Sequence, residues 1–160
     1  MFFAGLFAAY FTLRSAATIW PPADVHLAVG RAAISTAVLV ASSFTMRRAE
    51  HLSRSGDNTG TRIWLGITLV LGAGFLVNQL LDYGGLGFGI ASHTFGSMFY
   101  IMTGFHGLHV FAGLILIGIV TATAAVAPNR NRAPLRAVAA YWHFVDVVWI
   151  GLFATLYLLK

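Results

Sequence analysis

Four ionisable side chains lie inside stretches that are otherwise apolar: His106 and His109 in GSMFYIMTGFHGLHVFAG (Gly96–Gly113), and His143 and Asp146 in YWHFVDVVW (Tyr141–Trp149). Neutral imidazole is a common metal and haem ligand, and an imidazole beside a carboxylate can pass a proton. The i, i+3 spacing of each pair puts its two members on one side of a helix. Neither pair completes a site by itself, because a closed metal site takes about four ligands. The chain has no Cys and five acidic residues to supply the rest. Hydrogen-bonded polar residues inside a helix bundle are therefore the favoured reading, for the histidines and for the His143–Asp146 pair alike.

These residues need helices to position them. Phe95, Met102, His106, His109 and Gly113 fall within about 40° of one helical face, and His143, Asp146, Ile150, Phe153 and Tyr157 make a similar face on the second stretch. Gly104, Gly107 and Gly113 leave room for close helix approach. A charged group at the centre of a bilayer costs about 2.5 kcal/mol or more unless it is paired or faces protein. The two faces are expected to meet as a structural polar seam of His106, His109, His143 and Asp146.

Composition defines the class. The chain is 58% hydrophobic and 9% charged, with mean hydropathy +0.79, as in polytopic membrane proteins. Without cysteine there are neither disulfides nor thiolate sites. The net charge of +5 does not point to nucleic acid, because the basic residues sit in short connections between apolar runs. The N-terminal stretch has no basic residue ahead of its apolar run, unlike a signal peptide.

The expected fold is all-α: a single transmembrane domain over residues 1–160, a bundle of about five helices spanning about 1–19, 25–45, 62–82, 94–125 and 137–159. The first span is cut off by Trp20-Pro21-Pro22 and is barely long enough to cross. Arg31, in the second, is expected to snorkel or to pair with Asp24. Arg47, Arg48, Glu50, His51, Arg54, Asp57 and Gly60 read as a solvated connection. Asn78, Gln79 and Asp82 read as a polar helix end at headgroup depth. Gly84, Gly85, Gly87 and Gly89 punctuate the next connection, and Pro128 with Asn129–Arg132 ends the fourth span. Arg47, Arg48, Arg54 and Arg62 in the second connection, and Arg130, Arg132 and Arg136 in the fourth, place those loops, and with them the N-terminus, inside and the C-terminus outside. Phe2, Phe3, Phe7, Tyr10 and Arg14 are possible lipid contacts.

TGFHGLHV followed by YWHFVDVVWIGLF resembles subunit III of the haem–copper oxidases, the cytochrome c oxidase type in particular. So do MFFAGLFAAYFTLR, Trp20–Pro22, SSFTMRRA at Ser42–Ala49 and GSMFY at Gly96–Tyr100, in order along nearly the whole chain. The resemblance implies a multi-pass subunit of the bacterial plasma membrane with no catalytic, cofactor-binding or metal-binding residue of its own. It implies partners in oxidase subunits I and II, which hold the haem and copper, a bound phospholipid, and cytochrome c reached through subunit II. The implied work is to stabilise subunit I and support proton uptake while an aa3-type complex reduces O2 to water in aerobic respiration. Family members carry further residues ahead of the point matching Met1, among them a Glu, so that carboxylate's proton-related role is not carried over. Subunit III of a quinol oxidase is the near alternative. A stand-alone haem-b cytochrome is a more distant one, disfavoured because His143 and the mid-span His106 and His109 lie at different depths.

Overall fold

The computed structural model describes residues 2–22, 28–126 and 133–159, with side chains described at all of these except 124–126. Five helices follow one another: α1 (Phe2–Ala16), α2 (Val29–Ser55), α3 (Asn58–Gly85), α4 (Thr94–Val126) and α5 (Ala133–Phe153), the last running into a π turn at Ala154–Leu158. Among the described residues, four stretches are long and apolar enough to cross a membrane: Val29–Ser55, Asn58–Gly85, Thr94–Thr123 and Ala133–Leu158. At 1.5 Å per residue α1 extends only about 22 Å, short of a hydrocarbon core of about 30 Å.

The helices run alternately up and down, and α2, α3, α4 and α5 close a ring in which each packs on the next and α5 returns to α2. Such antiparallel order follows from short connections. The shortest is two residues long. Gly56 adopts φ 88°, its N–H bonds to the Ser53 carbonyl, and the Asp57 N–H reaches back to Leu52. This is the paired 6→1 and 5→2 closure that a left-handed glycine makes at a helix end. Asp57 then caps α3, its carboxylate accepting from the Gly60 N–H at 2.8 Å. The α3–α4 connection, residues 86–93, is folded onto the bundle end, where the Tyr100 hydroxyl donates to the Phe88 carbonyl at 3.1 Å.

Here the structure departs from the sequence reading. The polar stretch from Arg47 to Gly60 is helix except at Gly56 and Asp57. Leu39, Ser42, Met46 and Ala49 are all buried, so the inward stripe of α2 continues at helical spacing beneath the charges. With 27 residues, α2 is about 40 Å long and carries its charged last turns beyond the hydrocarbon. Asp24, proposed as a partner of Arg31, lies outside the described residues, as do Val25, His26, Pro128 and Asn129–Arg132. Among the described residues Arg31 is paired with Asp82, at 2.8 Å.

Trp142 and Trp149 of α5, each at most 1% exposed, occupy the centre of the ring with Phe75, Met102 and Val110. Outside, large apolar side chains such as Val70, Leu108 and Val147 are mostly exposed. Between 28% and 39% of the most apolar window in each spanning helix is buried. That is the pattern of a bundle solvated by lipid or by other membrane subunits.

Two glycines admit the central indole. A Cβ on Gly72 would lie 2.6 Å from Cη2 of Trp142, and one on Gly113 2.8 Å from its Cε3. Gly107 makes only an ordinary contact, 3.6 Å to Leu76, and Gly104 meets nothing within 4 Å. Of the three glycines expected at a helix contact, Gly113 alone is crowded, and by a ring rather than by a backbone. Gly104 faces outward. Gly72→Ala is therefore expected to cost about 1–3 kcal/mol by overpacking, while Gly74→Ala, which meets nothing within 4 Å, is neutral. Unfolding of both variants in detergent checks this.

Candidate functional site

The polar interior is arranged in three places, and the expected single seam is divided between two of them. On α5, His143 and Asp146 turn towards α2. The Ser43 hydroxyl lies 3.0 Å from His143 Nδ1 and donates to Asp146 Oδ2. Asp146 is 4% exposed, and its other oxygen, Oδ1, is buried without a hydrogen-bond partner. Above and below, the indole N–H groups of Trp142 and Trp149 donate to Ser42 Oγ and Thr36 Oγ1, each at 3.0 Å. Thr36 donates in turn to Ala32 O, and Ser42 to Leu39 O. Along α2 the hydroxyls of Thr36, Ser42 and Ser43 thus receive, in that order, the Trp149 indole, the Trp142 indole and the imidazole–carboxylate pair from α5.

His106 belongs to a different place. It is 1% exposed and faces aromatic rings from three helices: Trp149 with centroids at 4.9 Å, Phe75 at 6.0 Å and Phe3 at 6.4 Å. Both ring nitrogens are buried and have no hydrogen-bond partner among the described residues. His109, half-buried, bonds through Nδ1 to the Phe105 carbonyl at 2.7 Å, and the Tyr141 hydroxyl donates to its own carbonyl at 3.1 Å. Trp149 stands beside His106, while Asp146, three residues earlier on α5, turns to α2. Asp146 and His143 meet Ser43 of α2, whereas Trp149 is the α5 side chain that meets His106, so the four residues do not form one seam. Nor do the three histidines converge on a common point, as a haem between facing helices would require. Among the described residues no three His, Asp or Glu side chains gather as a metal-binding group.

The third place is the end of the bundle formed by the α3–α4 connection and the start of α2. Arg31 and Asp82 form their ion pair there, and Asn78 Nδ2 donates to Ser35 Oγ at 2.6 Å. Gln79, expected at the headgroups with Asn78 and Asp82, is buried. A cleft of about 270 Å³ opens beside the pair, lined by Arg31, Ile34, Ser35, Val38, Gly74, Phe75 and Asn78.

The residues proposed for lipid contact separate by face. Phe2 is exposed, and Phe7 and Arg14 are half-buried. Phe3 and Tyr10 are turned inward and are not lipid-facing. Phe3 packs on His109 with centroids at 5.0 Å. Tyr10 donates to the Thr155 carbonyl at 3.0 Å, within the π turn, and accepts from Trp20 Nε1 at 3.0 Å. These contacts fix the short α1 against α4 and the end of α5.

Sequence reading missed Thr36, Ser42, Ser43 and Ser35 altogether. Their signal was the spacing of hydroxyls within one apolar span, each able to bond back to its own helix and outward to a neighbour.

Taken together, the fold and its interior define a multi-pass membrane protein whose buried polar groups link one helix to another. A family model described as cytochrome c oxidase subunit III matches residues 1–160. A probable cytochrome c oxidase subunit 3 of Nocardia farcinica is 48% identical over 167 residues, covering 100% of this chain and 82% of the relative. Cytochrome c oxidase subunit 3 of Thermostichus vulcanus is 41% identical over 162 residues, covering 99% and 81%. The chain belongs to the cytochrome c oxidase subunit III family.

The two histidine environments predict opposite sensitivities. Ser43→Ala leaves His143 Nδ1 and Asp146 Oδ2 without their shared partner and is expected to cost about 1–2 kcal/mol, the scale of interhelical hydrogen bonds in membranes. His106→Phe exchanges one ring for another in an aromatic cage, removes two buried nitrogens that have no hydrogen-bond partner among the described residues, and is expected to be neutral or stabilising. Detergent unfolding of the two variants reads the difference.

Proposed function

We propose that this chain is the non-catalytic subunit III of an aa3-type cytochrome c oxidase in a bacterial plasma membrane. It packs beside subunits I and II, which carry haem and copper, retains phospholipid, and supports proton uptake during O2 reduction. Cytochrome c meets the complex through subunit II. The observation that carries this reading is the family match over the whole chain. The broad apolar exterior supports it, since surfaces of that kind suit lipid and neighbouring subunits equally. The names of the relatives, cytochrome c oxidase rather than quinol oxidase, favour the cytochrome c form.

Orientation follows from charge. Arg47, Arg48, Arg54, Arg62 and Arg136 all belong to the end where α2 meets α3 and α5 begins. At the opposite end Arg31 is balanced by Asp82. The positive-inside rule puts the first end in the cytoplasm, with the N-terminus inside and the C-terminus outside.

Purification of the tagged chain from native membranes in mild detergent tests the reading. It is expected to bring down large haem-bearing and copper-bearing subunits and to retain no haem absorbance once separated from them. Recovery alone, with haem bound, contradicts it.

A further inference from the structure

Ser43, Arg47, Glu50 and Arg54 recur at intervals of four, three and four residues, so they share one stripe of α2 that descends from the charged end into the bilayer. Glu50 and Arg54 form an ion pair at 2.6 Å at the outer end of this stripe. Arg47 and Glu50 are close enough for their charges to act on the His143 ring. At the bottom, the Ser43 hydroxyl touches both His143 Nδ1 and Asp146 Oδ2. The charges of this stripe lie beyond the hydrocarbon, and it leads through one hydroxyl to a carboxylate buried inside it, where a carboxylate is costly and marks function by default.

We infer that the Arg54–Glu50–Arg47 stripe, His143 and Ser43 form a one-ended proton entry that loads the carboxylate of Asp146. His143 Nε2 takes a proton from a hydronium ion at the charged end. Its Nδ1–H passes a proton to Ser43 Oγ while the Ser43 O–H proton moves to Asp146 Oδ2. The hydronium becomes water, the carboxylate becomes the neutral acid, Ser43 is again a hydroxyl, and His143 is neutral with its proton on the other nitrogen. Reversal of the same steps returns the proton to the charged end. Within the described residues Asp146 has no hydrogen-bonding neighbour besides Ser43, so the site stores a proton near an uptake surface rather than conducting one across the membrane. On the opposite side of α5, α4 carries His106 and His109, which meet Trp149 and Tyr141 instead, and Tyr100, whose hydroxyl donates to the Phe88 carbonyl. The α3 residues closest to the central indoles, Gly72 and Phe75, carry no titratable group. Asp146 and His143 are positioned by packing; the hydroxyl of Ser43 is the link that makes them a relay.

This assignment deepens the proton-uptake reading and rests on it for its use, but the carboxyl is observable independently. Infrared difference spectra of the purified full chain, alone and in its oxidase complex, follow the protonated-carboxyl band on acidification and its exchange in D2O. One such band is expected to vanish in Asp146→Asn. In Ser43→Ala and in His143→Leu the band is expected to persist while its exchange slows about tenfold or more, as for a rate that loses a hydrogen bond on its route. Ser43→Thr, which keeps the hydroxyl, is expected to restore fast exchange. Unchanged exchange in both Ser43→Ala and His143→Leu, or no band that depends on Asp146, overturns the relay. Failure of the subunit reading appears separately, as an absence of haem-bearing partners in the purification.

Discussion

Inside a bilayer there is no water to satisfy a polar side chain, so each one must find a partner within protein or impose a cost of several kcal/mol. That constraint organises the contact between α2 and α5. Trp142 and Trp149 are the largest fully buried side chains among the described residues, and each also carries an N–H that hydrocarbon cannot accept. Ser42 and Thr36 accept hydrogen bonds from those two groups, and beside Ser42, towards the charged end, Ser43 holds the imidazole and carboxylate of His143 and Asp146. The rest of the bundle accommodates this line. Gly72 and Gly113 give up side chains so that the Trp142 ring can reach the centre, and α1 covers the remaining side through Phe3 and Tyr10. Stability and function meet here, because the hydroxyl that ties α2 to α5 also joins the two titratable groups.

The spans were legible in the sequence because a run of about 20 apolar residues matches the thickness of a bilayer and is longer than most buried helices of soluble domains. The shortness of α1 and the length of α4 followed from the prolines and from simple rise per residue. The continuation of α2 to Ser55 was not legible from charge content. Arg47, Arg48, Glu50 and Arg54 dominate that stretch, and they hide the inward spacing of Ser42, Met46 and Ala49. The Gly56–Asp57 pair carried the better signal, a left-handed stop followed at once by a helix cap.

The site was legible in part. Polarity inside apolar runs singled out His106, His109, His143 and Asp146, and helical period placed each pair on one face. A face gives a direction but not the neighbour it meets. Ser43 lies 103 residues from Asp146 in sequence, and nothing local announces that distance. The same limit explains Phe3 and Tyr10: aromatic residues on a short helix suit lipid and core equally, and only the packing of α1 against α4 and α5 decides between them.

The central claim is that indole-to-hydroxyl bonds fasten α5 to α2. A double-mutant cycle on Ser42→Ala and Trp142→Phe, read by unfolding in detergent, measures that link with the packing losses cancelled. The account predicts a coupling of about 0.6 kcal/mol, the average found for hydrogen bonds between membrane helices, rising to about 1.7 kcal/mol at most. Strict additivity of the two substitutions contradicts it and leaves the bundle held by ring packing alone.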